Sequence, residues 1–318
     1  MIAATPDAEL ELGTSEPRDL AATIGFIRRG RGDPTLHVVE GPEGWREVWR
    51  AQRTPEGTAT LRLLVEGEYL RAQAWGPGAT WSVDRAPALI GEHDDWRPLD
   101  AVLAARDDAA TTALSRARRR RRGLRLTSTG IVLEAAVAAV LEQKVTGVEA
   151  RRAWRRLVLQ HGERAPGHAP EGLTVMPDGV GWRSIPDHEW HRAGVGPQRM
   201  ATIRRVAAVS ASLDRLTELE PSALEVALQS IPGVGQWTVA EVLQRSHGHP
   251  DLVSVGDAHL PHVVGTWFTG DRVDDAGMLE LLAPWAGHRQ RIVRLITSLG
   301  VDVQSFGARA TISDHRGH

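Results

Sequence analysis

The chain has 318 residues, 42% of them hydrophobic and 25% charged, with a formal net charge of −2 and no cysteine. These values describe an ordinary globular protein and exclude disulfides, thiolate zinc sites and iron–sulfur clusters held by cysteine. Charge is unevenly placed: residues 1–110 hold 12 Arg against 19 acidic residues, and residues 111–318 hold 26 basic against 21 acidic ones.

At the N-terminus, Asp7, Glu9 and Glu11 stand where a secretory signal would be basic and then apolar, so a cytoplasmic protein is expected. Residues 36–39, 59–65 and 69–75 read as strands between Gly- and Pro-containing turns, and residues 101–113 read as a helix. A basic run follows: Arg116, then Arg118, Arg119, Arg120, Arg121 and Arg122, then Arg125. It reads either as a solvated linker or helix end, or as a phosphate contact. Beyond Gly123 the period becomes helical, with Ile131, Leu133, Val137, Val140 and Leu141 near one face and Ile203, Val206, Leu213 and Leu216 repeating the pattern. The apolar stretch over residues 131–141 contains Glu134 and is far short of the roughly 20 residues of a membrane span. The expected class is α+β: a mixed α/β domain with an antiparallel sheet over residues 1–115, then an all-α bundle over residues 116–318.

The most informative segment lies at residues 222–244. A helical stretch opened by Pro221 ends at Ile231-Pro232-Gly233-Val234-Gly235, and a second helix starts at once with Gln236-Trp237-Thr238-Val239-Ala240-Glu241. A Gly-x-Gly turn feeding a helix exposes backbone N–H groups at the positive end of a dipole and can hold a phosphate without reading sequence. The plain alternative is a tight connection between two bundled helices. Asp257 stands 22 residues beyond Gly235, in Val253-Ser254-Val255-Gly256-Asp257-Ala258-His259-Leu260. It follows a short strand-like apolar run and a glycine, and it also suits a helix N-cap.

Together, the hairpin and the acid at this interval resemble the helix–hairpin–helix DNA glycosylase superfamily, and most nearly its 3-methyladenine DNA glycosylase II type. Three further segments carry the likeness: residues 133–146 with Gln143 as the first long helix, residues 194–203 with Arg199 before the hairpin, and Pro284-Trp285-Ala286-Gly287-His288-Arg289 at the closing helix.

The resemblance implies a base-excision enzyme that flips a damaged base out of duplex DNA and hydrolyses its N-glycosidic bond, with Asp257 as the catalytic carboxylate. It places Trp237, Trp285, Glu241 and Gln143 at the base pocket, although Glu241 stands where the nearest relatives have an aromatic and suits an ion pair with an arginine equally well. Trp285 also suits ordinary core packing. Gly233, Val234, Gly235, Thr238, Lys144 and Arg199 would meet DNA, with Lys144 at the wedge position beside Gln143. Strand-cleaving members carry a nucleophilic lysine two residues after the second hairpin glycine; here Trp237 stands there, and Lys144 is the only lysine in the chain. A monofunctional enzyme follows, acting as a monomer on double-stranded DNA with damaged, alkylated bases. Excision of oxidised or deaminated bases, and a non-catalytic DNA-binding module, are the alternatives. No metal, cofactor or membrane is implied, with a monovalent cation at the hairpin backbone left open.

Overall fold

The computed structural model describes residues 5–13, 18–42, 44–66, 69–216 and 221–300. Its first part is an antiparallel sheet built from β1 (Ala8–Gly13), β2 (Leu36–Gly41), β3 (Gly44–Thr54), β4 (Gly57–Glu66) and β5 (Tyr69–Trp75), in the order β1-β5-β4-β3-β2. Helix α1 (Leu20–Ile24) lies between β1 and β2 in sequence, and α2 (Ala79–Leu89) follows β5. A two-residue turn, Pro55-Glu56, sets the β3–β4 register by pairing Thr54 with Gly57. Strand alternation then sends Leu61, Leu63, Leu70, Ala72 and Ala74 into one core with Leu20 and Ile24 of α1 and Val83 and Ala86 of α2. Elsewhere on the sheet Trp49 stacks on Trp75, with ring centroids 5.6 Å apart, against Leu173 and Val175.

The rest is helical: α3 (Arg97–Ala104), α4 (Ala109–Arg120), α5 (Val132–Glu142) and α6 (Gly147–His161), then the short pair β6 (Glu163–Arg164) and β7 (Thr174–Val175). After them come α7 (Gly179–Ser184), α8 (Asp187–Arg192), α9 (Pro197–Ala208), α10 (Ser210–Leu216), α11 (Pro221–Gln229), α12 (Gln236–Ser246), α13 (Leu260–Thr269), α14 (Asp275–Leu282) and α15 (Arg289–Ser298). Among the described residues no helix is long and apolar enough to cross a membrane.

Helix α5 is the axis of the largest core. Its residues 132–141 are all buried, and α6, α9 and α12 pack around it. One of those buried residues is Glu134, which pairs with the buried Arg50 of β3 at 2.9 Å and so joins the sheet to the bundle. A separate core holds α3 and α4 together with α13, α14 and α15.

Three sequence expectations change. The helix expected over residues 101–113 is two helices, because the Asp108 carboxylate accepts from Thr111 N at 2.8 Å and starts α4 afresh. The boundary expected at residue 115 falls inside α4, since α3 and α4 complete the core of the C-terminal helices rather than that of the sheet. Val253-Ser254-Val255 forms no strand and runs as irregular chain into Asp257.

Candidate functional site

Helix α11 stops at Gln229, and residues 230–235 turn the chain into α12. Gly233 sits at φ +96°, and a Cβ there would overlap Thr202 Oγ1 of α9. Only glycine lets the hairpin lie this close, because the backbone conformation and the contact each exclude a side chain. Arg205 of α9 fixes the same turn by donating to Pro232 O at 3.2 Å. Gly235 caps α12 with no side-chain hydrogen bond to the first turn, while Gly233, Gly235 and Gln236 are exposed and Val234 points into the core. The result is an open helix N-terminus on the surface, a site that favours an anion.

The C-terminal end of α5 is tied to this turn. Gln143 donates from Nε2 to Gly233 O at 3.0 Å and to Thr238 Oγ1 at 2.9 Å. Thr238 is buried, so its hydroxyl serves this link and only its backbone shares in the open helix end. Gln143 therefore braces the hairpin through its amide nitrogen. Arg199 donates to Leu141 O at 2.8 Å and Gly194 O at 2.9 Å, and burial lowers its pKa. Its guanidinium clamps the end of α5 to the start of α9 with two of its five N–H donors. The loop that these contacts support presents Lys144, which is exposed and holds φ +54°, the one positive φ outside glycine among the described residues.

Trp237 is the second residue of α12 and lies half-buried one turn from the hairpin. Its indole Nε1 donates to Asp257 Oδ2 at 3.3 Å. The other carboxylate oxygen, Oδ1, accepts from His259 N at 2.8 Å and Leu260 N at 2.9 Å, at the start of α13. Asp257 thus holds the turn that leads into α13, whose N-cap residue is His259, and still turns Oδ2 toward Trp237. The two backbone bonds hold the carboxylate in one orientation, and it is half-buried rather than packed away.

Two residues expected at the pocket are buried. Trp285 is 2% exposed in the core of α3, α4, α13, α14 and α15, with the Arg106 guanidinium 5.0 Å from its ring centroid. Residues 283–285 form a single 3₁₀ turn, which carries the ring inward. Glu241 is also buried: Oε2 pairs with Arg245 at 2.6 Å and Oε1 accepts from Ser254 Oγ at 2.5 Å. With both oxygens engaged it offers no carboxylate to a base. Its effect on the site is indirect, because Ser254 O accepts from Asp257 N at 3.2 Å and Gln244 Nε2 bonds Ser254 Oγ at 3.1 Å. Helix α12 grips the segment that presents Asp257 through these side chains.

Sequence reasoning missed three residues. Phe26 lies with the guanidinium carbons of Arg245 and Arg294 at 4.1 and 4.0 Å from its ring centroid. Arg294 is pushed down to about 10 by burial and by the neighbouring Arg245, against the pull of Glu241. Phe26 sits more than 200 residues before these partners, and no local pattern announces the contact. Within the arginine run, Arg116, Arg119, Arg120 and Arg122 are exposed, whereas Arg118 bonds Asp100 and Arg121 bonds Ser298 O. Among the described residues no cluster of His, Cys, Asp or Glu could hold a metal.

No protein-family model matches the chain, and comparison with curated proteins finds no relative. Solved structures do match. A 3-methyladenine DNA glycosylase from Archaeoglobus fulgidus superposes with a TM-score of 0.73 at 15% identity, over 91% of this chain and 97% of that one. An 8-oxoguanine glycosylase/lyase from Clostridium acetobutylicum, in its apo form, gives 0.67 at 9% identity, over 93% and 99%. A 3-methyladenine DNA glycosylase from Schizosaccharomyces pombe, in complex with abasic DNA, gives 0.52 at 15% identity, over 66% and 100%. The chain therefore shares its fold with these solved DNA glycosylase structures, an antiparallel sheet ahead of a helical bundle.

Proposed function

We propose that this chain is a monofunctional DNA glycosylase of base excision repair that removes alkylated bases of the 3-methyladenine and 7-methylguanine kind from duplex DNA. The observation that carries the reading is the contact of the Asp257 carboxylate with Trp237, one helical turn from an uncapped hairpin. A backbone grip, an aromatic face and a fixed carboxylate lie side by side, and these are the three things excision of a flipped base requires.

In this reading the hairpin amides hold a backbone phosphate, and Lys144 on the adjoining loop contacts a second one. Unstacking the base costs a few kcal/mol, less at a damaged pair. Trp237 receives the base on its indole face, where a cationic alkylated purine gains about 0.5–2 kcal/mol that a neutral base lacks. As the N-glycosidic bond breaks, the base leaves with the bonding electrons and positive charge develops on the sugar. Asp257 stabilises that charge and accepts the proton of the water that adds to the sugar. No cofactor enters this scheme, and the protein acts as a cytoplasmic monomer.

Lys144 is the only lysine, and Trp237 fills the position where the resemblance puts a lyase nucleophile, so no strand cleavage is expected. Excision of neutral oxidised or deaminated bases is the second reading, since the indole face of Trp237 can stack on a neutral base as well. The test is a panel of duplexes carrying single defined lesions, scored for abasic sites. Release of methylated purines above all others is the expected result; activity confined to oxidised or deaminated bases selects the second reading, and none on any lesion refutes both. A borohydride-trapped adduct that vanishes in Lys144→Ala would overturn the monofunctional assignment.

A further inference from the structure

A second basic surface adjoins the loop that bears Lys144, built jointly by the sheet domain and α6. The chain between α1 and β2 contains Arg28-Arg29-Gly30-Arg31-Gly32-Asp33. Asp33 anchors it: Oδ2 accepts from Arg29 N at 2.7 Å, and Oδ1 accepts from Thr35 N at 3.0 Å and from Trp154 Nε1 of α6 at 3.1 Å. Arg29 pairs with Glu142 at the end of α5, at 3.1 Å. The loop is thereby pinned to the two helices that flank Lys144.

Two glycines let arginine side chains cross this junction. The Arg151 side chain lies flat on Gly30, where a Cβ would come 2.8 Å from its Cδ, and its Nη1 folds back to 2.9 Å from the corresponding position on Gly147, the first residue of α6. Arg155 Nη1 comes 2.7 Å from a Cβ placed on Gly32. Arg31, Arg151, Arg152, Arg155 and Arg156 are all exposed, and none of them forms an ion pair among the described residues. The nearby carboxylate of Glu142 is taken by Arg29, and Oε2 of Glu149 accepts from Thr146 N and Oγ1 in the capping box of α6. At 1.5 Å rise per residue, Arg151 and Arg155 stand within about 6–12 Å of the start of α6, which begins three residues after Lys144.

We infer that this surface is a second binding site for the phosphate backbone of duplex DNA, and that the sheet domain lengthens the footprint that the hairpin starts. Uncompensated guanidinium groups in a row suit a line of phosphates, and continuity with the loop bearing Lys144 places them along the same duplex. The inference rests on the proposed DNA-binding function and adds to it a role for the first domain.

Salt dependence of binding tests it, because each phosphate contact contributes about 0.9 to the slope of log K against log salt concentration. Anisotropy of a labelled, undamaged duplex of about 25 base pairs would be measured for four proteins: wild type, Arg151→Gln/Arg155→Gln, Arg151→Lys/Arg155→Lys, and a control, Arg164→Gln/Arg183→Gln. Arg164 and Arg183 are exposed and belong to β6 and α7, outside the loop of residues 28–33 and α6. The expected result is a slope shallower by about 1.8 in the first double variant, with the lysine pair and the control keeping the wild-type slope. An unchanged slope in the glutamine pair, or an equal change in the control, overturns the inference while leaving hairpin binding intact. A wild-type protein that fails to bind the duplex overturns the DNA-binding reading itself.

Discussion

Glu241→Gln separates a structural role from a pocket role. The wild-type carboxylate is 8% exposed, pairs with Arg245 at 2.6 Å and accepts from Ser254. Glutamine keeps an acceptor but removes the charge, and Arg245 then faces Arg294 with no counter-ion between them. Both guanidinium carbons lie about 4 Å from the Phe26 centroid, so they are no more than about 8 Å apart. At an effective dielectric of about 20, their repulsion is at least about 2 kcal/mol. Loss of one partner of a buried pair costs about 3–5 kcal/mol in general, and the retained hydrogen bonds put this case near 3. For a chain of this size that lowers Tm by about 4–5 °C. Calorimetry would follow wild type, Glu241→Gln, and Glu241→Gln/Arg245→Met, in which the second change removes the orphaned charge and recovers at least half of the loss. The lesion panel should keep its rank order in the single variant. A Tm within 1 °C of wild type together with a changed lesion preference would refute the reasoning and return Glu241 to the base pocket.

Two further predictions concern the hairpin and the segment before Asp257. Gly233→Ala forces a Cβ into Thr202 Oγ1 at a φ of +96°, so the hairpin must shift; duplex affinity should fall at least tenfold by anisotropy, and a change under twofold would remove the hairpin from the interface. His249 accepts from Asp251 N at 3.2 Å and Leu252 N at 3.1 Å through Nδ1, which demands the neutral ring, and burial lowers its pKa. Because the unfolded chain binds the proton more readily, this contribution is complete above about pH 6.5 and is lost as pH falls below it. Tm should drop between pH 7.5 and 5.5, with His249→Asn less sensitive, and a flat profile in the wild type would contradict the assignment.

The sheet and the central helices were legible because their signals are local. Alternation marks β4 and β5, the apolar run marks α5, and Pro232 with its two glycines marks the hairpin. The segment that brings Asp257 to Trp237 stands out for a similar reason, since each residue lies at a short fixed interval from that hairpin. What the sequence concealed depends on partners remote in the chain. The Arg245 and Ser254 partners of Glu241, and the carbonyl partners of Arg199 at Leu141 and Gly194, are not announced by any local pattern. Trp285 follows the same rule, because its burial is set by α3 and α4, more than 160 residues earlier. The contact of Phe26 with two arginines joins the two ends of the chain, and periodicity carries no information about it.

The central claim is that the Asp257 carboxylate drives bond cleavage, and Asp257→Asn tests it most directly. The amide oxygen can still accept from His259 N and Leu260 N, so the fold and the DNA affinity should survive while the charge is lost. Single-turnover excision of a methylated purine from duplex DNA, at saturating protein, should slow by at least 10²–10³-fold, equivalent to about 3–4 kcal/mol of transition-state stabilisation. A rate within tenfold of wild type, with Tm and affinity unchanged, would contradict the account.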